Sequence, residues 1–136
     1  MVNYEKRGHI GLLTIDRPEA RNAVNGDVAQ GMEAAIDELE ADEEVWVGIL
    51  MGNGPVFCAG ADLKAISAGR VGDLQTERGG FGGIVVRDRT KPIIAAVDLD
   101  SCECASCGAR WDEDHATGEY RGRASHATVV TPPDRP

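Results

Sequence analysis

Val47-Gly48-Ile49-Leu50-Met51-Gly52-Asn53-Gly54-Pro55-Val56-Phe57-Cys58-Ala59-Gly60-Ala61-Asp62-Leu63-Lys64 decides the fold. Residues 45–51 are apolar and partly β-branched, which predicts a strand. Gly52 to Pro55 are four turn-forming residues in a row and end it. Residues 57–60 read as a short extended segment and turn. Asp62 or its neighbour then opens a helix through Leu63, Ala65 and Ile66 that stops around Gly69.

Upstream, residues 2–6 and 9–15 read as two short strands about a turn at Gly8. Pro18 stops the second strand, and residues 17–23 form a polar connector. A helix follows from Asn25, a good N-cap, with Asp27 favourable in its first turn. Val28, Met32, Ala35, Ile36 and Leu39 recur at spacings of three and four, so they share one buried face. The acidic residues Asp37, Glu38, Glu40, Asp42, Glu43 and Glu44 read as a solvated helix exit. Downstream, residues 70–80 look like a mobile linker. Residues 81–89 suggest a further helix, weakened by Gly82 and Gly83 at about 1 kcal/mol each relative to Ala. Residues 92–97 are a continuous apolar run, best read as a buried strand. Strands alternating with helices imply an α/β fold around a parallel or mixed sheet.

The character of the chain changes near Asp98. In residues 99–136 only Leu99, Val129 and Val130 belong to the Ile/Leu/Val/Met set, and no period of two or 3.6 is present. Such a segment buries too little surface to offset its ordering entropy, so disorder is expected there. The organisation expected is a folded unit over residues 1–98 and a Cys-, Arg- and Asp-rich tail over 99–136.

At 136 residues and 42% hydrophobic content, the chain supports one modest core. No apolar run approaches the roughly 20 residues of a membrane span, and no secretory signal is visible, so a cytoplasmic location is expected. A net charge of −9 argues against nucleic acid and anionic membrane as partners. Cys102, Cys104, Cys107 and His115 are spaced closely enough to consider zinc. Their order does not match the paired Cys-x-x-Cys pattern, and no metal site is assigned. Cys58 reads as a small buried side chain, Trp46 and Phe57 as core or packing residues, and His9 as structural.

Three stretches together resemble the crotonase superfamily, the enoyl-CoA hydratases and isomerases. The first is Thr14-Ile15-Asp16-Arg17-Pro18-Glu19-Ala20-Arg21-Asn22-Ala23-Val24-Asn25. The second is the stretch quoted at the outset, with its Phe57-Cys58-Ala59-Gly60-Ala61-Asp62-Leu63 pattern. The third is Thr90-Lys91-Pro92-Ile93-Ile94-Ala95-Ala96-Val97-Asp98. Order and coverage of residues 1–98 make the match specific to the N-terminal half of the family. The resemblance implies an incomplete crotonase-like spiral core of ββα units.

Enolate formation at an acyl thioester places negative charge on the thioester oxygen, and backbone N–H groups stabilise it. Small residues at 59–61 allow backbone to approach a ligand closely. By resemblance, the Ala61 N–H is one oxyanion donor. Ala59, Asp62 and Leu63 would line the thioester and pantetheine path. Arg21 and Ala23 would lie near the CoA nucleotide, and Lys64 would add positive charge. The partner implied is an acyl-CoA thioester, with CoA part of the substrate and no separate cofactor. Family members are usually trimers or hexamers.

After Asp98 the family's pattern is not followed. It expects a glycine-rich segment that supplies a second oxyanion N–H and ends in Cys-Glu, whereas here Leu99 follows and the expected glutamate position falls on Cys107. Cys102-Glu103 comes too early to replace it. Neither glutamate that would transfer protons is found. The expectation is a chain truncated or frame-shifted after Asp98 and catalytically impaired. The alternative is a non-enzymatic half-domain that binds CoA ligands or a partner and carries a metal-responsive Cys-rich tail.

Overall fold

The computed structural model describes residues 1–97 and, beyond them, residues 112–114, 119–121 and 129–130. Strands β1 (Val2–Arg7) and β2 (Ile10–Ile15) form an antiparallel hairpin. A short 3-10 turn, Pro18–Ala20, leads to helix α1 (Gly26–Ala41). Strand β3 (Val47–Gly52) and helix α2 (Leu63–Ser67) follow, joined by the loop that carries the small residues. A second 3-10 turn, Val71–Leu74, precedes the small hairpin of β4 (Gln75–Thr76) and β5 (Gly80–Phe81). Strand β6 (Ile93–Ala96) completes the well-packed part. Further on, β7 (Asp112–Asp114) pairs with β8 (Glu119–Arg121), and β9 (Val129–Val130) joins the main sheet.

That sheet is mixed, in the order β1-β2-β3-β6-β9. β3 runs parallel to both β2 and β6, while the two outer pairings are antiparallel. Helix α1 starts where its sequence says it should, because the Asn25 side chain accepts from the Val28 N–H at 3.0 Å. Its buried residues are Val28, Ala29, Met32, Ala35, Ile36 and Leu39. All but Ala29 pack against Leu13 and Ile15 of β2 and Ile93 of β6, with Val45 closing the cluster. Each buried Val, Leu, Ile or Met side chain contributes on the order of 1.5–3 kcal/mol relative to exposure.

Four expectations are corrected. Residues 70–80 are not a loose linker: Leu74 is buried, and Arg78 donates to Asp37 and Glu33 of α1. Residues 81–89 form turns, not a helix. Gly80, Gly82 and Gly83 all adopt positive φ, and at Gly83 a Cβ would lie 2.1 Å from the Ala29 carbonyl oxygen. The acidic exit of α1 is not merely solvated, since Asp37 also meets Arg87, and Glu40 accepts from the amides of Thr90 and Lys91. Strand β6 is buried on one side only: Ile93 packs toward α1, while Ile94 and Ala96 are exposed.

Of the two readings of Trp46, packing holds and core does not. It is exposed and stacks on His9, with ring centroids 3.8 Å apart. The outer edge of β6 accepts β9 through Ile93 and Ile94. The expected disorder of residues 99–136 falls on a stretch of which only β7, β8 and β9 are described. Cys102, Cys104, Cys107 and His115 lie outside the described residues. Among the described residues no helix is long and apolar enough to cross a membrane, and no cluster of metal-ligating side chains occurs.

Candidate functional site

Two segments meet at the C-terminal ends of β2 and β3: the connector 17–25 and the loop 53–62. Asn22 fastens them. Its side chain is fully buried, accepts from the Arg17 N–H at 2.9 Å, and donates to the carbonyls of Asn53 at 2.9 Å and Val56 at 2.6 Å. Asn22 itself stands at φ 54, a left-handed conformation that Asn tolerates better than most residues. Gly52 makes room for this junction. A Cβ there would come within 2.3 Å of the Phe57 carbonyl oxygen and 2.7 Å of the Asn22 amide nitrogen.

The same two segments then run side by side. Val24 and Ala61 form a parallel bridge, in which the Val24 N–H bonds the Gly60 carbonyl at 2.8 Å and the Asp62 N–H bonds the Val24 carbonyl at 2.9 Å. In such a bridge the neighbours of Ala61 make the hydrogen bonds, and the N–H and C=O of Ala61 face the opposite way. The amides of the run therefore divide. The Ala59 N–H is taken by the Arg21 carbonyl at 3.0 Å, the Gly60 N–H leans on the Cys58 sulfur at 3.4 Å, and the Asp62 N–H is taken by Val24. Among the described residues the Ala61 N–H has no hydrogen-bond partner. Ala61 is partly exposed.

The side chains proposed for the site take different positions. Arg21 (φ 54), Ala59, Leu63 and Lys64 are exposed, with Leu63 76% accessible. The Arg21 guanidinium and the Lys64 ammonium make no ion pair among the described residues. Ala23 is buried, and its carbonyl accepts from the Arg17 guanidinium at 2.9 Å. Asp62 is buried too. One carboxylate oxygen meets Arg17 at 2.7 Å, and the other accepts from the amides of Lys64 at 2.8 Å and Ala65 at 3.3 Å, capping α2. The Arg17 guanidinium holds the Asp62 carboxyl below the usual carboxylate range; burial opposes this, and the two cap amides reinforce it.

A polar recess of about 240 Å³ opens beside this ion pair, lined among others by Arg17, Asn25, Asp62, Lys64 and Arg70. A second, of about 190 Å³, lies over Pro18, Arg21, Asn22 and Val56. The first touches the 53–62 loop at Asp62 and the second at Asn53, Pro55 and Val56. Cys58 packs partly buried against the core cluster. Arg17, Asn22 and Gly52 are the positioning residues that a reading of the sequence as connector and turn does not single out.

Residues 5–101 match the family described as Enoyl-CoA hydratase/isomerase. The chain belongs to that family. Its residues up to about 100 are the N-terminal portion of a crotonase-superfamily protein. The chain is 39% identical over 100 residues to enoyl-CoA hydratase EchA19 of Mycobacterium tuberculosis, covering 69% of this chain and 37% of the relative. It is 38% identical over 119 residues to the short-chain-enoyl-CoA hydratase of Clostridium acetobutylicum, covering 80% of this chain and 45% of that one. The crystal structure of a probable enoyl-CoA hydratase/isomerase from Mycobacterium abscessus superimposes with a TM-score of 0.64 at 46% identity. That superposition covers 71% of this chain and 37% of that chain. The enoyl-CoA hydratase/isomerase fold is thus present over residues that span less than half the length of these relatives.

Proposed function

We propose that this chain binds an acyl-CoA thioester and polarises its carbonyl through the Ala61 N–H, without carrying the groups that complete hydration or isomerisation. The supporting observation is that, among the described residues, the Ala61 amide has no partner while those of Ala59, Gly60 and Asp62 are committed to the fold. A thioester oxygen placed against that N–H gains most as negative charge develops on it, so the donor favours the enolate over the ground state. In this reading Ala59, Asp62 and Leu63 border the acyl and pantetheine path. Asp62 acts there through its backbone and helix cap, because its carboxylate is occupied. Arg21 and Lys64, exposed and without ion-pair partners among the described residues, supply positive charge for the CoA phosphates, and Ala23 supports the nucleotide end. CoA is part of the substrate and no cofactor is required. A cytoplasmic location accompanies this reading.

Proton transfer is the missing step. Hydration needs a water deprotonated and a carbon protonated, work suited to two carboxylates. Leu99 stands where the family's glycine-rich segment should begin, and Cys107 where a glutamate is expected. The proposal therefore includes a reading frame shifted after Asp98. Translating the coding DNA in the other frames tests this: a glycine-rich segment ending in Cys-Glu is expected, and its absence from every frame refutes the shift.

Calorimetric titration tests the binding half. Crotonyl-CoA is expected to bind more tightly than a thioether analogue lacking the carbonyl. Equal affinities would remove the oxyanion role. Loss of the enoyl-thioester absorbance should stay at the uncatalysed rate, and sustained turnover by the purified chain would refute the impairment.

A further inference from the structure

The Ala61 amide sits in a loop outside the main sheet, so its direction depends on whatever holds residues 60–62 against residues 22–24. One side chain spans that junction. The Arg17 guanidinium donates to the Ala23 carbonyl at 2.9 Å and to the Asp62 carboxylate at 2.7 Å. These are the residue before Val24 and the residue after Ala61, so the guanidinium ties together the two sides of the Val24–Ala61 bridge. Both partners are largely withdrawn from water, with side-chain exposures of 17% for Arg17 and 10% for Asp62. Screening is correspondingly weak, and a charge-assisted hydrogen bond in such surroundings is directional. The Arg17 backbone N–H is itself fixed by Asn22. Arg17 does not belong to the apolar cluster of Leu13, Met32, Ile36 and Leu39 that holds α1 on the sheet.

We propose that Arg17, acting through Asp62, is a positioning residue that sets the direction of the Ala61 N–H. The assignment rests on the reading of that N–H as an oxyanion donor. Arg17 does not touch the thioester; it fixes the bridge from which the donor projects. Glutamine at position 17 keeps polarity but loses the charge and the reach to both acceptors. Lysine keeps the charge and restores part of the contact.

The experiment uses the full chain and two readouts. Amide hydrogen exchange at Val24 and Asp62 reports the bridge, and Leu13 and Ile36 report the core. In Arg17→Gln the first pair is expected to exchange about tenfold faster while the second pair changes little, and Arg17→Lys recovers part of the protection. With crotonyl-CoA labelled with carbon-13 at the carbonyl, binding to the unmodified chain shifts the carbonyl resonance, and Arg17→Gln reduces that shift while affinity for free CoA is kept. Should Arg17→Gln unfold the chain, Asp62→Asn, which retains a side-chain cap, is expected to speed exchange at Val24 and to reduce the carbonyl shift. No carbonyl shift with the unmodified chain overturns the oxyanion reading and this assignment with it. A shift that both variants preserve, with exchange at Val24 and Asp62 unaltered, overturns the assignment alone.

Discussion

Asn22 has no freedom to be replaced by a residue of merely similar polarity. Its side chain satisfies three backbone groups at once in a buried, left-handed position. Asn22→Ala leaves those groups without partners, and a loss of about 2–4 kcal/mol is expected from urea unfolding. Gly52→Ala drives a methyl into the Phe57 carbonyl, so the 53–58 loop must move. The expected outcome is a lowered Tm together with weaker crotonyl-CoA binding. Asp62 makes the Val24–Ala61 bridge pH-dependent. Because its folded pKa is depressed, its contribution is complete above its unfolded value of roughly 3.9 and is lost as pH falls through the lower folded value. Acid should therefore loosen the bridge below about pH 4, seen as faster exchange at the Val24 amide, and Asp62→Asn should abolish that acid step. At this scale the sequence was only partly legible. The small residues 59–61 and the cap Asp62 announce themselves locally. Arg17 and Asn22 look like any polar connector, because the partners that give them meaning lie 31 to 45 positions away.

Among the elements, α1 is the most transparent. Its cap, its 3.6-residue period and its buried face all follow from local rules, and Asn25→Ala is expected to cost about 1 kcal/mol in thermal or urea unfolding. The segment 70–91 is the least transparent. Its apolar residues follow no period, and its glycines read as a weakened helix where they are turn positions with positive φ. What orders it is long-range: Arg78 and Arg87 on Asp37, and Glu40 receiving Thr90 and Lys91. Gly83→Ala tests this packing. The added Cβ meets the Ala29 carbonyl in α1, so a destabilisation above about 2 kcal/mol is expected. Strand β6 illustrates a different limit. An unbroken apolar run does not reveal how many of its faces are covered, and here α1 covers one.

At the scale of the molecule, the mixed sheet and the helix α1 packed on it reproduce the front portion of the enoyl-CoA hydratase/isomerase fold, and that much could be read from three ordered sequence stretches. The function assigned depends on one donor and its orientation. The most direct test is the amide NMR spectrum of the nitrogen-15-labelled chain during titration with acetoacetyl-CoA, whose enolate places charge on the oxygen in question. The Ala61 amide proton is expected to move downfield more than those of Ala59, Gly60 or Asp62. An Ala61 resonance that stays in place at saturation, or that is already protected from exchange before ligand is added, would contradict the account.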